Sequence, residues 1–178
     1  KALKILKSKK NLRLIDAYNF SLNENIKFHS VNDSILIQKK EKKIFTKKDF
    51  KVVSKKKPNK LQFDNLIFAF NICRFVKSNA IVLASNSSTI GIGAGQSSRL
   101  DSCQIAIDKM YKFKNIKNEI VAASDAFFPF TDGVEKLVQS GVSAVIQPAG
   151  SIRDKDVINF ANATNTILVF SKTRHFRH

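Results

Sequence analysis

Two stretches hold the residues best suited to chemistry. The first is Ser124-Asp-Ala-Phe-Phe-Pro-Phe-Thr-Asp132, and the second is the C-terminal Ser171-Lys-Thr-Arg-His-Phe-Arg-His178. In the first, Phe127, Phe128 and Phe130 lie between Asp125 and Asp132. A plain core strand would leave those carboxylates in apolar surroundings, and a buried charge is costly unless paired. In the second, Arg174, His175, Phe176, Arg177 and His178 follow directly on an apolar run. Chain ends usually fray and carry little function. An end this dense in cations and aromatics is expected to be tied down and to grip an anion through its guanidinium groups.

Other segments offer weaker chemistry. Gly91-Ile-Gly-Ala-Gly-Gln-Ser-Ser-Arg99 has the look of a phosphate-binding loop opening a helix. A tight turn after a strand explains the same glycines. It is not the dinucleotide fingerprint, since the third Gly falls one position early, and no Gly-Lys-Ser/Thr follows. Gln96, Ser98 and Arg99 at the helix mouth can each hydrogen-bond an anion or a heterocycle. Asn79, Asp125 and Asp132 read equally as caps, and the three Phe as core. Pro148-Ala-Gly-Ser-Ile-Arg153 follows a buried strand, on the side where α/β sheets take ligands, or it is an ordinary turn ending in a Ser cap. Three His, two of them at the terminus, and no HxE with CxxC argue against zinc. Cys73 and Cys103, without CxxC spacing, read as reduced buried thiols of a cytoplasmic protein, a disulfide or metal site being the minor alternative.

The elements that must position these residues alternate between strand and helix. Asn11–Ala17 reads as a strand. Lys27–Gln38 reads as a hairpin turning at Val31-Asn-Asp33, and Phe50–Ser54 as a short strand. Leu61–Lys77 reads as a buried helix of about four turns. Ala80–Ala84 and Thr89–Gly93 read as a second hairpin, followed by a helix over Arg99–Lys112 capped by Ser97 or Ser98. Strands at Glu119–Ala123, Val142–Gln147 and Thr166–Phe170 then alternate with helices at Gly133–Ser140 and Arg153–Ala163. Asp154 and Asp156 fall in the favourable first turn of the latter. This pattern predicts an α/β fold.

Composition sets the bounds. A chain of 178 residues has room for about one domain, and 43% hydrophobic residues suffice for a core. No apolar run approaches the ~18 residues of a membrane helix, and no signal peptide is visible. A start on Lys rather than Met suggests a piece of something longer. The net charge is +17 and uneven: residues 1–60 hold 18 Lys/Arg against 5 Asp/Glu, and residues 61–178 hold 13 against 9. That excess supports either a basic nucleic-acid-binding module or lysines solvated on the surface. The lysines lack interleaved Tyr or Trp for base stacking, so no nucleic-acid partner and no membrane are expected.

Five segments in order close the reading: Lys77–Val82, Thr89–Arg99, Ser124–Gly133, Val145–Asp154 and Arg174–His178. Together they closely resemble the C-terminal part of the AICAR formyltransferase/IMP cyclohydrolase family, and the resemblance covers nearly the whole chain. It implies a cytidine-deaminase-like mixed sheet flanked by helices and lacking zinc, one unit of a two-unit transformylase domain. Residues 61–178 would form that unit and residues 1–60 a strand-rich lead-in. It implies transfer of a formyl group from 10-formyltetrahydrofolate to the 5-amine of AICAR, and a cytoplasmic homodimer with transferase sites at the subunit interface. By motif position, Asn79 would orient the reacting groups and His178 would lie close to the reaction centre. Arg99 and Leu100 would line the nucleotide and folate pocket, Phe127 would pack on ligand rings, and Asp132 would hydrogen-bond the pterin. Arg174 would hold the AICAR phosphate and Phe176 would wall the base. Asp125 would contribute to a structural potassium site of some relatives. Thr131 stands where the family usually has Arg, which puts one salt link in doubt. The family's KHxNPxG segment, bearing a proton-shuttling Lys-His pair, and its cyclohydrolase domain lie upstream of these motifs. Neither occurs in this sequence, so the chain alone is expected to be inactive.

Overall fold

The computed structural model describes residues 2–15, 26–39, 42–113 and 119–178. The chain divides into two compact units, Lys1–Lys42 and Lys43–His178. The first holds a short helix α1 (Ala2–Lys7) and an antiparallel hairpin of β1 (Ile26–Val31) and β2 (Ser34–Lys39). The hairpin forms where Asn32-Asp33 predicts it, with Val31 opposite Ser34. Asn32 adopts φ +50°, a conformation Asn tolerates better than most residues. The strand expected at Asn11–Ala17 is absent over Asn11–Ile15; Asp16 and Ala17 lie outside the described residues. Leu12, Leu14 and Ile15 are exposed there, so the run gains no burial that would favour an extended partner.

In the second unit a six-stranded sheet runs in the order β3-β8-β7-β6-β4-β5. The strands are β3 (Phe50–Val52), β4 (Ile81–Ser85), β5 (Ser88–Gly93), β6 (Ile120–Ser124), β7 (Val142–Pro148) and β8 (Ile167–Ser171). β6, β7 and β8 are mutually parallel, while β4 runs antiparallel to both β6 and β5, and β3 antiparallel to β8. The helices are α2 (Lys60–Cys73), α3 (Arg99–Met110), α4 (Asp132–Gln139) and α5 (Asp154–Ala163). The architecture is therefore α/β, with a mixed sheet flanked by helices.

Side chains alternate across the strands, and the helices divide accordingly. Val82, Ala84, Val121, Ala123, Ala144 and Ile146 face a core with Leu66 and Phe70 of α2. Ile81, Leu83, Ala122, Val145 and Leu168 face the other core with Cys103, Ala106, Leu137 and Val157 of α3, α4 and α5. With both faces covered, the central strands have no polar alternation, as parallel sheets generally do not. α2 starts on a reciprocal cap in which Asn59 accepts from the Gln62 amide and Gln62 from the Asn59 amide. α3 starts at Ser98, whose hydroxyl accepts from the Asp101 amide.

The glycine-rich segment has a packing role. A Cβ on Gly91 would lie 2.1 Å from the Ala106 carbonyl oxygen, and one on Gly93 would lie 1.9 Å from that of Ser102. Both glycines sit in β5 and let α3 lie directly on the strand. Of the two sequence readings, phosphate loop and tight turn, neither describes Gly91 and Gly93. Only Gly95, at φ +67°, supplies a turn.

Candidate ligand site at one edge of the sheet

Strand directions bring the C-terminal ends of β6, β7 and β8 to one edge. The start of β4 and the end of β5 join them, since Ile81 pairs with both Ser124 and Gly93. Asn79, Ala94–Ser98, Asp125–Asp132, Ala149–Arg153 and Lys172–His178 all emerge here. This is the side on which open α/β sheets place ligands.

At its centre lies a buried ion pair. Asp125, fully buried, closes the apolar strand β6, and its Oδ1 accepts from the Arg99 guanidinium at 3.0 Å. The same guanidinium donates to Asn79 Oδ1 at 2.8 Å and to the Phe127 carbonyl at 3.1 Å. Asn79 is held in turn, its amide nitrogen donating to the carbonyls of Gln96 and Ser97, each at 3.0 Å. The Ser102 hydroxyl donates to the Asn79 carbonyl. The first turn of α3, the β4 start and the β6 end are thus fixed to one another through Arg99. Asp125 Oδ2 is buried with no hydrogen-bond partner among the described residues.

The C-terminal segment is tied to this edge despite having no regular secondary structure. The His175 amide donates to the Asp125 carbonyl at 2.8 Å. Ser78 and Arg177 bond reciprocally: the Ser78 amide donates to the Arg177 carbonyl, and the Arg177 amide to the Ser78 hydroxyl. The buried His175 ring packs against Phe70 and Phe45 at centroid distances of 4.4 and 5.1 Å. That anchor turns the alternate residues outward. Arg174 lies over the Phe127 ring at 4.8 Å, and the rings of Phe176 and His178 stack at 6.0 Å. Gly150, at φ +108°, leaves room beside the Arg174 guanidinium, only 3.4 Å from where a Cβ would stand.

The expectation that Phe127, Phe128 and Phe130 are core holds only for Phe128, which fills the space under Gly133. Phe127 is half-buried and Phe130 is 52% exposed, because Pro129 carries the chain outward past the sheet edge. Asp125 is not a cap; it is the counter-ion of Arg99. Asp132 opens α4 and accepts from the adjoining Gly133 amide. Leu100 is half-buried beside Arg99 in α3. The described residues contain no cluster of three or more His, Cys, Asp or Glu able to hold a metal. Cys73 and Cys103 are both free and buried. Burial, then the nearby Asp125 charge, pushes the Cys73 thiol well up, and burial pushes Cys103 up to about 12. Neither is a nucleophile at neutral pH.

A model of the AICARFT/IMPCHase bienzyme family matches residues 1–109. The chain belongs to this family. Among curated relatives, a protein named bifunctional purine biosynthesis protein PurH from Buchnera aphidicola subsp. Schizaphis graminum is 44% identical over 99% of the chain and 34% of its own length. Proteins of that name from Chlorobium chlorochromatii (43% identical; 99% and 34%) and Leptospira biflexa (44%; 99% and 35%) are similarly close. The chain therefore spans about a third of the length of the AICARFT/IMPCHase relatives it matches. No helix of the described residues is long and apolar enough to cross a membrane.

Proposed function

We propose that this chain supplies the C-terminal half of the AICAR transformylase site, in a cytidine-deaminase-like unit over residues 61–178 to whose sheet the lead-in of residues 1–60 adds β3. The observation that supports this most is the convergence of Asn79, Arg99, Phe127, Arg174, Phe176 and His178 on one sheet edge, with Arg174 on the Phe127 ring. An exposed guanidinium beside aromatic rings matches a phosphorylated, flat imidazole substrate. Arg174 holds the AICAR phosphate, and Phe127 and Phe176 face the ligand rings. Asp132 accepts from the pterin, with Leu100 and Arg99 lining the same pocket.

Arg99 also acts as a frame. By holding Asn79 Oδ1, it leaves the Asn79 amide nitrogen fixed on two carbonyls and sets the level at which the substrate amine meets the formyl donor. His178, at the far end of the anchored tail, lies by the amine. Proton removal from AICAR needs the Lys-His pair of the KHxNPxG segment, which is not among these 178 residues. Formyl transfer therefore requires that segment, and the resemblance also implies a homodimer with its sites at the subunit interface. Asp125 Oδ2, buried with no hydrogen-bond partner among the described residues, is the oxygen that could face the structural potassium ion the resemblance implies. The Asp125 charge is already met by Arg99, however, so the residues present do not call for that ion. The assignment is tested by following backbone amide resonances as AICAR is added. Shifts confined to residues 78–80, 94–100, 125–133, 149–153 and 174–178 support it; shifts at the opposite edge, or a response to random oligonucleotides alone, contradict it.

A further inference from the structure

We propose that Arg153 binds the carboxylates of the folate cosubstrate's glutamate tail and sets the chain's preference for tail length; this rests on the transformylase reading above. The edge carries two arginines on phenylalanine faces. One is Arg174 on Phe127, which the phosphate of the nucleotide uses. The other is Arg153, whose guanidinium lies 4.9 Å from the Phe130 ring centroid and which the transformylase reading leaves without a role.

Three features make this second pair a binding element. Arg153 is exposed, and its only ion pair among the described residues is a 3.7 Å contact with Asp156, itself 56% exposed. So open a pair holds little of the guanidinium's capacity. The hydroxyl of Ser151 accepts from the Arg153 amide, and Asp154 Oδ2 accepts from the Gly150 amide. The loop is thereby braced at both ends, and the arginine springs from a fixed backbone. Phe130 and Ile152 flank it, 52% exposed and fully exposed. These side chains give a flat aromatic ligand an apolar surface beside the cation.

The groups linked along the chain, Asp132, then Phe130 with Arg153 on its ring, follow the order of the cosubstrate's parts. Asp132 is two residues from Phe130, and the Phe130 ring carries Arg153. A reduced folate presents a pterin, then a p-aminobenzoyl ring, then glutamate carboxylates. With the pterin on Asp132, the benzoyl ring meets Phe130 and the carboxylates meet Arg153. Arg174, beside Gly150 and over the Phe127 ring, stays with the phosphate, so the two anions of the ternary complex have separate cations.

The test is equilibrium binding of pteroic acid, folic acid and folic acid triglutamate to the whole chain and to its Arg153→Ala, Arg153→Gln and Arg153→Lys variants. The intact chain is expected to bind pteroic acid, folic acid and the triglutamate with rising affinity. Arg153→Ala and Arg153→Gln should weaken folic acid by about 5- to 20-fold, as loss of a charge-assisted contact does. Pteroic acid, whose single carboxylate stops short of the glutamate, should be weakened less than folic acid, AICAR should be unaffected, and Arg153→Lys should restore part of the loss. Equal weakening of all three compounds, or of none, overturns the role of Arg153 while leaving the transformylase reading in place. Failure of the intact chain to bind any of the three overturns both.

Discussion

Replacing Asp125 by Asn removes the negative half of the ion pair that joins α3 to the ends of β4 and β6. Asp125 is fully buried, and the Arg99 side chain retains 12% exposure, with the two charges 3.0 Å apart. Breaking such a pair from one side costs about 3–5 kcal/mol, mostly because the other charge stays buried without compensation. Arg99 keeps two acceptors, Asn79 Oδ1 and the Phe127 carbonyl, which places the expected loss near the lower end, about 3 kcal/mol. For a unit of this size each kcal/mol shifts Tm by roughly 3–4 °C, so Tm should fall by roughly 10 °C. The partner change, Arg99→Met, strands both Asp125 oxygens and should cost as much or more. Combining Arg99→Met with Asp125→Leu removes both charges and should recover at least ~2 kcal/mol relative to the sum of the singles. Urea unfolding followed by circular dichroism on the four proteins measures this directly. A loss below about 1 kcal/mol for Asp125→Asn, or simple additivity in the cycle, would refute the reasoning.

Other expectations follow from the same geometry. Gly93→Ala drives a Cβ to 1.9 Å from the Ser102 carbonyl oxygen and should destabilise by about 3 kcal/mol or more. Gly141→Ala meets nothing within 4 Å and should lose only about 1 kcal/mol from its positive φ, so comparing their urea midpoints isolates packing from strain. Burial raises the Cys103 thiol from 9.0 to about 12. A thiol neutral in the fold but ionised in the unfolded chain stabilises fully below pH 9.0, and that contribution falls as pH rises from 9.0 to about 12; pH-resolved unfolding of Cys103→Ala beside the parent should show the difference narrow across that window. Mixed with AICAR and 10-formyltetrahydrofolate, the chain by itself should turn over at least roughly 10²–10⁴-fold more slowly than an intact relative, for want of a general base.

Much of the fold was legible because strand and helix signals were local. The Asn32-Asp33 turn, the unbroken apolar run Ala80–Ala84 and the cap at Ser97 or Ser98 each announced an element that the structure forms. The first apolar run misled: Leu12, Leu14 and Ile15 have strand-like composition, but a strand needs a neighbour, and composition does not reveal one. Gly91 and Gly93 misled for a related reason. Their spacing resembles a phosphate loop, whereas the constraint comes from Ala106 and Ser102, residues of the following helix. At the site, Arg99 and Asp125 lie 26 positions apart, and nothing in either local sequence names the other. The signal was chemical: a carboxylate closing the apolar strand Ile120–Ser124 needs a cation, and Arg99 opens the helix that lies on the neighbouring strands. The composition of the C-terminal end signals that it is tied down, but not that His175 is the anchor, since its burial depends on Phe45 and Phe70 from two distant segments.

The central claim is that the anchored C-terminal segment presents Arg174 for the phosphate of AICAR. Calorimetric titration of AICAR into the chain, beside Arg174→Ala, tests it most directly. Saturable binding that falls by at least about tenfold in the variant, as loss of a charge-assisted phosphate contact requires, is the predicted result. Equal binding by both proteins, or none by a well-folded parent chain, would contradict it.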